Sequence, residues 1–302
     1  MRDALAETRP MTDADPRIRT QRFAGAGLSL CGDVGGDAAA QPVILLHGGG
    51  QTRHSWRRAM VELIARGFYV ISLDARGHGD SDWAADADYT FASLAADLEA
   101  VIATLPRPPV LVGASMGGAT ALYLIGNRPQ AVARALVMVD VVPRLEAEGS
   151  RKIRQFMEAN PQGFATVEEA ADAVAAYYPT RKRPRDPSGL MKNLRRRDDG
   201  RLYWHWDPRF IASVRRAEPP EMARHMIDAC RGVHVPTLLV RGLESDIVGQ
   251  AGVDEFRTLL PQLQVADVSG AGHMVAGDRN DAFNRSVLDF LHALPPDPAA
   301  AR

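Results

Sequence analysis

The chain has 302 residues, a formal net charge of −1, 46% hydrophobic residues and only 6% aromatic ones. Near-neutral charge gives no electrostatic ground for a nucleic-acid partner, and no apolar run reaches the roughly 20 residues that span a bilayer. The apolar content suits one large domain, or a core domain carrying an insertion. The two cysteines, Cys31 and Cys230, lie far apart in sequence and form no CxxC pair, so reduced structural thiols are expected. No His/Cys cluster has zinc spacing, and no metal site or cofactor is expected. Residues 1–17 are polar, lack the apolar stretch of a signal peptide and read as a flexible tail, which points to a cytoplasmic protein.

Two short alternating runs, Gln21–Ala24 and Leu28–Cys31, flank Gly25-Ala26-Gly27 and predict an antiparallel hairpin at a sheet edge. Val43–Leu46 is continuously apolar, as a strand buried on both faces must be. It runs into His47-Gly48-Gly49-Gly50, whose side-chain-free backbone can turn N–H groups toward a cavity. A phosphate-binding turn is the alternative, although neither GxGxxG nor GK[ST] is present. His47 reads as a structural hydrogen-bonding residue. A helix over Ser55–Arg66 and a strand over Phe68–Leu73 lead to Asp74-Ala75-Arg76-Gly77-His78-Gly79-Asp80-Ser81. That run invites a catalytic reading, but a glycine-rich turn pinned by an Asp/Arg network accounts for it better. Phe91–Leu105 is a helix with Leu94, Leu98, Val101 and Ile102 on one face.

Val110–Val112 then ends in Gly113-Ala114-Ser115-Met116-Gly117-Gly118. The strand, the tight turn and the following helix, with Gly-x-Ser-x-Gly spacing, match a nucleophile elbow. Ala135–Asp140 is a further buried strand. Strands alternating with helices require right-handed crossovers and a parallel sheet with helices on both faces.

From Pro143 to Val233 the strand pattern stops. Helical pieces over Ser150–Ala159, Thr166–Tyr178, Leu190–Arg196 and Pro219–Cys230 are divided by proline-rich joints such as Pro179–Pro187. Residues 143–233 therefore read as an all-helical, arginine-rich cap on a core made of 18–142 and 234–294, with a loose tail over 295–302. Tyr203–Phe210 is the densest aromatic patch. Trp204, His205 and Trp206, with Gly50, are read as lining a substrate cavity, the alternative being the cap's own small core. Strands return at Pro236–Arg241 and Leu263–Val268. Asp246 follows the first, and His273 stands in the glycine-rich loop after the second. Helices are expected over Val253–Leu260 and Asp281–Ala293.

Ser115, Asp246 and His273 thus stand in the order nucleophile, acid, base, each after a buried strand, with Asp140 as the rival acid. With His47-Gly48-Gly49 after an earlier strand, this pattern closely resembles the α/β-hydrolase superfamily in its capped subgroup, over residues 20–293. The resemblance implies an eight-stranded, mostly parallel sheet with a helical lid inserted after the sixth strand. It implies that His273 takes the proton from Ser115, that Asp246 orients His273, and that the N–H groups of Met116 and Gly49 (or Gly50) hold an oxyanion. It also implies a serine hydrolase that cleaves a small ester or lactone through an acyl-enzyme, without a cofactor. Ser115–Leu122 resembles carbon–carbon bond hydrolases as well. Those usually carry tryptophan after the base, where this chain has Met274, and would hold a substrate carboxylate on a residue such as Arg195, Arg196 or Arg209. Cofactor-free perhydrolases or haloperoxidases, and a non-catalytic ligand-binding protein on the same fold, are the other readings. The expected partner is a small-molecule ester or lactone, with neither nucleic acid nor membrane, and a homo-oligomer is left open.

Overall fold

The computed structural model describes residues 15–179, 183–216, 219–273, 275 and 280–296. Most of the N-terminal tail, residues 180–182 of the proline-rich joint, 217–218, Met274, 276–279 and all but two residues of the C-terminal tail lie outside them. Among the described residues eight strands form one sheet in the order β1-β2-β4-β3-β5-β6-β9-β10. The edge hairpin is β1 (Ile18–Ala24) and β2 (Ser29–Gly35), paired antiparallel from Ile18↔Gly35 to Ala24↔Ser29. Strand β2 also runs antiparallel to β4 (Tyr69–Leu73). All other pairs are parallel, through β3 (Pro42–Leu46), β5 (Val110–Ala114), β6 (Ala135–Val139), β9 (Thr237–Gly242) and β10 (Leu263–Val268).

Side-chain alternation along these strands builds a core on each face of the sheet. Ile44, Leu111, Leu136 and Met138 point to one face, where α2 (Phe91–Ile102), α3 (Met116–Gly126) and α8 (Gln250–Leu259) pack. Val43, Leu45, Val110, Val112, Val137 and Val139 point to the other, against α1 (Arg57–Ala65) and α9 (Asn280–Ala293). The buried strands are thus apolar in both phases, as the sequence required. Thr90 caps α2 by accepting from the Ser93 N–H at 3.3 Å.

The segment between β6 and β9 differs from the expected all-helical piece. It holds α4 (Ala147–Glu158), α5 (Val167–Tyr177), a 3₁₀ turn (Ser188–Asn193), a short hairpin of β7 (Leu194–Arg196) and β8 (Leu202–Trp204), then α6 (Pro208–Arg216) and α7 (Pro219–Cys230). The expected helix over Leu190–Arg196 is corrected to that turn and strand. Asp199-Gly200, with Gly200 at φ 78°, closes the hairpin, and Leu194, Leu202 and Trp204 bury one side of it. Helix α6 was not expected, yet Asp207-Pro208 begins it as a cap followed by proline should: Asp207 Oδ1 accepts from the Arg209 N–H at 2.9 Å. Helix α7, expected in the cap, packs instead on α3; a Cβ on Gly126 would lie 2.1 Å from the Ala229 carbonyl oxygen. No helix among the described residues is long and apolar enough to cross a membrane.

Candidate active site

Strand β5 delivers Ser115 with φ 46° and ψ −114°, backbone strain that costs a non-glycine residue about 1–3 kcal/mol. The surroundings enforce it. The Ser115 N–H donates to the Val139 carbonyl at 3.0 Å. A Cβ on Gly113 would sit 2.4 Å from the Gly117 carbonyl carbon, and one on Gly117 would sit 2.4 Å from the Leu46 carbonyl oxygen. The two glycines of the Gly-x-Ser-x-Gly run are therefore what allow β3, the elbow and α3 to close on one another. The serine stands at the N-terminus of α3, where unpaired N–H groups and the helix dipole favour negative charge.

Three adjacent strands, β6, β9 and β10, bring a carboxylate and an imidazole together. His273 Nδ1 lies 2.8 Å from Asp140 Oδ2, and the Asp140 side chain is fully buried. The same carboxylate accepts from Ser245 Oγ at 2.6 Å and from the Gly242 N–H at 3.1 Å. Ser245 Oγ in turn accepts from the N–H groups of Ile247 and Val248, each at 3.2 Å. This corrects the expected partner of His273. Asp246 is half exposed, and its Oδ2 lies 3.4 Å from Lys152 Nζ. The reason is reach: Asp140 is the residue after β6 and is turned inward at φ 49°, with its N–H donating to the Val240 carbonyl at 2.8 Å. Asp246 comes four residues after the end of β9, in a loop that sends Ser245 inward in its place. With Nδ1 facing the Asp140 carboxylate, which can only accept, the neutral ring that carries its proton there leaves Nε2 as the acceptor.

The glycine loop after β3 packs directly on the elbow. A Cβ on Gly48 would lie 3.4 Å from the Ser115 Cβ. Neither the Gly49 nor the Met116 N–H has a hydrogen-bond acceptor among the described residues. Gly50 differs: its N–H donates to His78 Nε2 at 3.2 Å, so it is not the spare donor. His47 is held as expected of a structural residue. Its Nε2 accepts from the Ala75 N–H at 3.0 Å, which leaves Nδ1–H to donate to the Gly48 carbonyl at 2.8 Å. Burial lowers the pKa of His47, pushes that of His78 down to about 3 with His47 beside it, and holds that of His205 well below the ordinary value.

Of the residues expected to line a substrate cavity, Trp204 and Trp206 lie in a packed aromatic core, Trp206 also stands over Gly50, and His205 bonds the glycine loop. Trp204 and Trp206 stack with ring centroids 5.1 Å apart, within a buried cluster that includes Phe164, Leu194 and Phe210. That cluster is the small core of the inserted segment, the alternative left open above. His205 is 1% exposed and spends both nitrogens on backbone: Nδ1 accepts from the Gly79 N–H at 2.8 Å and Nε2 faces the Gly50 carbonyl at 3.3 Å. What does stand over the glycine loop is Trp206 with Met157 and Phe210; a Cβ on Gly50, whose φ is 73°, would meet the first two at 3.3 Å. Phe210 closes the aromatic patch noted in the sequence, whereas Met157 was not legible, since a lone methionine on an amphipathic helix carries no signal beyond packing.

Arg195, Arg196 and Arg209 are committed elsewhere: to Asp80 at 2.5 Å, to the Gly200 carbonyl at 2.6 Å and to Asp207 at 2.7 Å. The Asp74–Ser81 run is a pinned turn as expected, but its charged partners lie outside the run. Asp74 bonds the Arg53 guanidinium and the Arg53 N–H, and Arg76 grips Asp97 at 2.6 and 2.8 Å. Cys31, Asp74 and Asp80 approach closely enough to suit a cation, but the Arg53 guanidinium already bonds both carboxylates.

A family model described as the alpha/beta hydrolase fold matches residues 41–279. The chain is 31% identical to an sn-1-specific diacylglycerol lipase of Mus musculus, over 85% of this chain and 82% of that protein. It is 30% identical to an esterase of Mycobacterium tuberculosis, over 83% of this chain and 84% of that one. The crystal structure of an E-2-(acetamidomethylene)succinate hydrolase superposes with a TM-score of 0.81 at 24% identity, covering 91% of this chain and 100% of the other. The match to the family model over most of its length and the shared eight-stranded sheet leave one assignment: the chain belongs to the α/β-hydrolase fold family.

Proposed function

We propose that this protein is a serine hydrolase that cleaves a carboxylic ester or lactone, with Ser115 as nucleophile, His273 as base and Asp140 as the acid that orients it. The observation that carries the reading is the pairing of part-buried His273 with fully buried Asp140, at the C-terminal ends of the strands where the strained Ser115 stands. In this mechanism Ser115 Oγ attacks the acyl carbon while His273 Nε2 takes the hydroxyl proton. Asp140 holds the Nδ1–H tautomer and stabilises the imidazolium. The N–H groups of Met116 and Gly49 receive the oxyanion; each such donor is worth about 10²–10³ in rate. The imidazolium then protonates the leaving oxygen. Water, deprotonated by the same ring, attacks the acyl-enzyme and returns the free serine with a carboxylic acid. Ester-cleaving relatives support this class of reaction, a diacylglycerol lipase and an esterase among them.

Phe210 and Met157 over the glycine loop supply an apolar wall, which suits an acyl chain. The carbon–carbon reading is less supported, because the three arginines considered for a substrate carboxylate are already paired. The test is fluorophosphonate labelling with mass mapping, beside turnover of p-nitrophenyl esters of increasing chain length. A stoichiometric adduct on Ser115, and loss of both adduct and turnover in a folded Ser115→Ala variant, are expected. Wild-type turnover in that variant would sink the assignment, and a folded wild type that neither labels nor turns over would favour a binding protein on this fold.

A further inference from the structure

Three consecutive peptide units of the glycine loop are each held by a ring nitrogen of a different buried histidine. The Gly48 carbonyl accepts from His47 Nδ1 at 2.8 Å. The Gly50 N–H donates to His78 Nε2 at 3.2 Å, and the Gly50 carbonyl accepts from His205 Nε2 at 3.3 Å. A trans peptide points its C=O and N–H in opposite directions, so fixing one end aims the other. The Gly48 carbonyl shares its peptide with the Gly49 N–H, and it accepts from the Gln51 N–H at 3.1 Å as well as from His47; the Gln51 N–H shares its peptide with the Gly50 carbonyl that His205 holds, so His47 and His205 together set the direction of the Gly49 N–H. The rings lie in a row, with centroids 5.2 Å apart for His47 and His78 and 5.8 Å for His78 and His205.

His47 and His78 belong to the sheet's own loops. His205 does not: it comes from the inserted segment, between β8 and α6. Its second nitrogen accepts from the Gly79 N–H at 2.8 Å, one residue from His78. One side chain of the insertion thus bonds both the loop that carries Gly49 and the turn that carries His78. Phe210, also from the insertion, sets its ring edge-on to His78 at 4.8 Å. His78 Nδ1 donates to the Arg76 carbonyl at 3.1 Å, so each ring here accepts with one nitrogen and donates with the other, which only a neutral imidazole does.

We infer that His205 is a positioning residue for the reaction, through which seating of the inserted segment aims the Gly49 N–H at the developing oxyanion. This rests on the proposed hydrolase reading. The inserted segment is in this respect a working part of the oxyanion site as well as a cover over it. Binding of the ground-state ester does not use that donor, whereas the tetrahedral state does, so the contribution falls on kcat.

The experiment compares wild type, His205→Phe and His205→Gln with p-nitrophenyl butyrate as substrate and an alkyl trifluoromethyl ketone as inhibitor. The ketone forms a tetrahedral adduct on the serine, so its affinity reports the oxyanion site. Phenylalanine keeps the ring and loses both hydrogen bonds; glutamine keeps a donor near the Gly50 carbonyl. The expected result is a fall in kcat of about 10–100-fold for His205→Phe with KM within about twofold, a parallel loss of ketone affinity, and partial recovery of both in His205→Gln. Unchanged kcat and ketone affinity in folded His205→Phe would overturn the inference, as would a kcat loss with ketone affinity intact. If His205→Phe does not fold, the wild type and His205→Gln decide. Nitrogen-15 spectra should show His205 with a protonated Nε2 and a bare Nδ1, unchanged from pH 5 to pH 8, and a ring that titrates in that range overturns the inference. A wild type without fluorophosphonate labelling at Ser115 marks failure of the hydrolase reading instead.

Discussion

A carboxylate that directly follows a buried strand is carried to the sheet edge by the strand itself, while one placed further along a loop depends on the path of that loop. Asp140 and Asp246 illustrate the difference. Asp140 is fully buried with three hydrogen-bond donors on its carboxylate, and Asp246 is half exposed beside Lys152. Asp140→Asn is expected to lower kcat by about 10³–10⁴, because the amide no longer selects the Nδ1–H tautomer of His273. Asp246→Asn should leave kcat within about twofold. Steady-state kinetics of the two variants checks this, and the reverse ranking would restore Asp246 as the acid. Chain order alone allowed either residue, since both follow late strands.

At the scale of elements, the alternating strands and helices were legible because each buried strand is apolar in both phases and each helix ends in glycine, asparagine or proline-rich sequence. The β7–β8 hairpin was not legible. Its strands are three residues long, and their stability comes from Trp204, Leu202 and Leu194 packing in a cluster that only forms once α4, α5 and α6 surround it. The same dependence on distant partners holds for the Asp74–Ser81 turn. The sequence suggested a local Asp/Arg network, but Asp74 pairs with Arg53 and Arg76 with Asp97 on α2. Both partners of the Arg76–Asp97 pair are about 95% buried, and Asp97 also accepts from the Ala26 N–H at 2.8 Å. Arg76→Ala leaves that carboxylate buried without its counter-charge and is expected to cost about 3–5 kcal/mol of stability. Denaturant unfolding of the variant measures the cost, and a loss below 1 kcal/mol would contradict the pairing.

For the whole molecule, the row of buried histidines sets a pH dependence. His78 has its pKa pushed down to about 3, and those of His47 and His205 are lowered as well, all chiefly by burial. The unfolded rings take up protons near pH 6.5 while the folded ones stay neutral. Their stabilising contribution is therefore complete above pH 6.5 and declines as the pH falls below it. His78 alone should remove about 2 kcal/mol between pH 7 and pH 5, with further losses of the same sign from the other two. Urea midpoints at pH 7, 6 and 5 test this, and a flat profile would mean that the rings are protonated or exposed in the folded state.

Local chemistry in the sequence determined the elbow, the glycine loop and the strand that presents His273, because each depends on residues adjacent in the chain: glycines where a Cβ would collide, apolar runs that must be buried, a base at a strand end. The eight strands of the sheet are the number that the resemblance to the α/β-hydrolase superfamily implied. Tertiary structure alone decided which carboxylate meets His273, which N–H of the glycine loop has no partner among the described residues, and that His205 closes on Gly50 across 155 residues of chain. Those outcomes turn on where loops end in space and on buried hydrogen-bonding groups finding partners once water is excluded, and neither is written in the spacing of residues along a strand or helix.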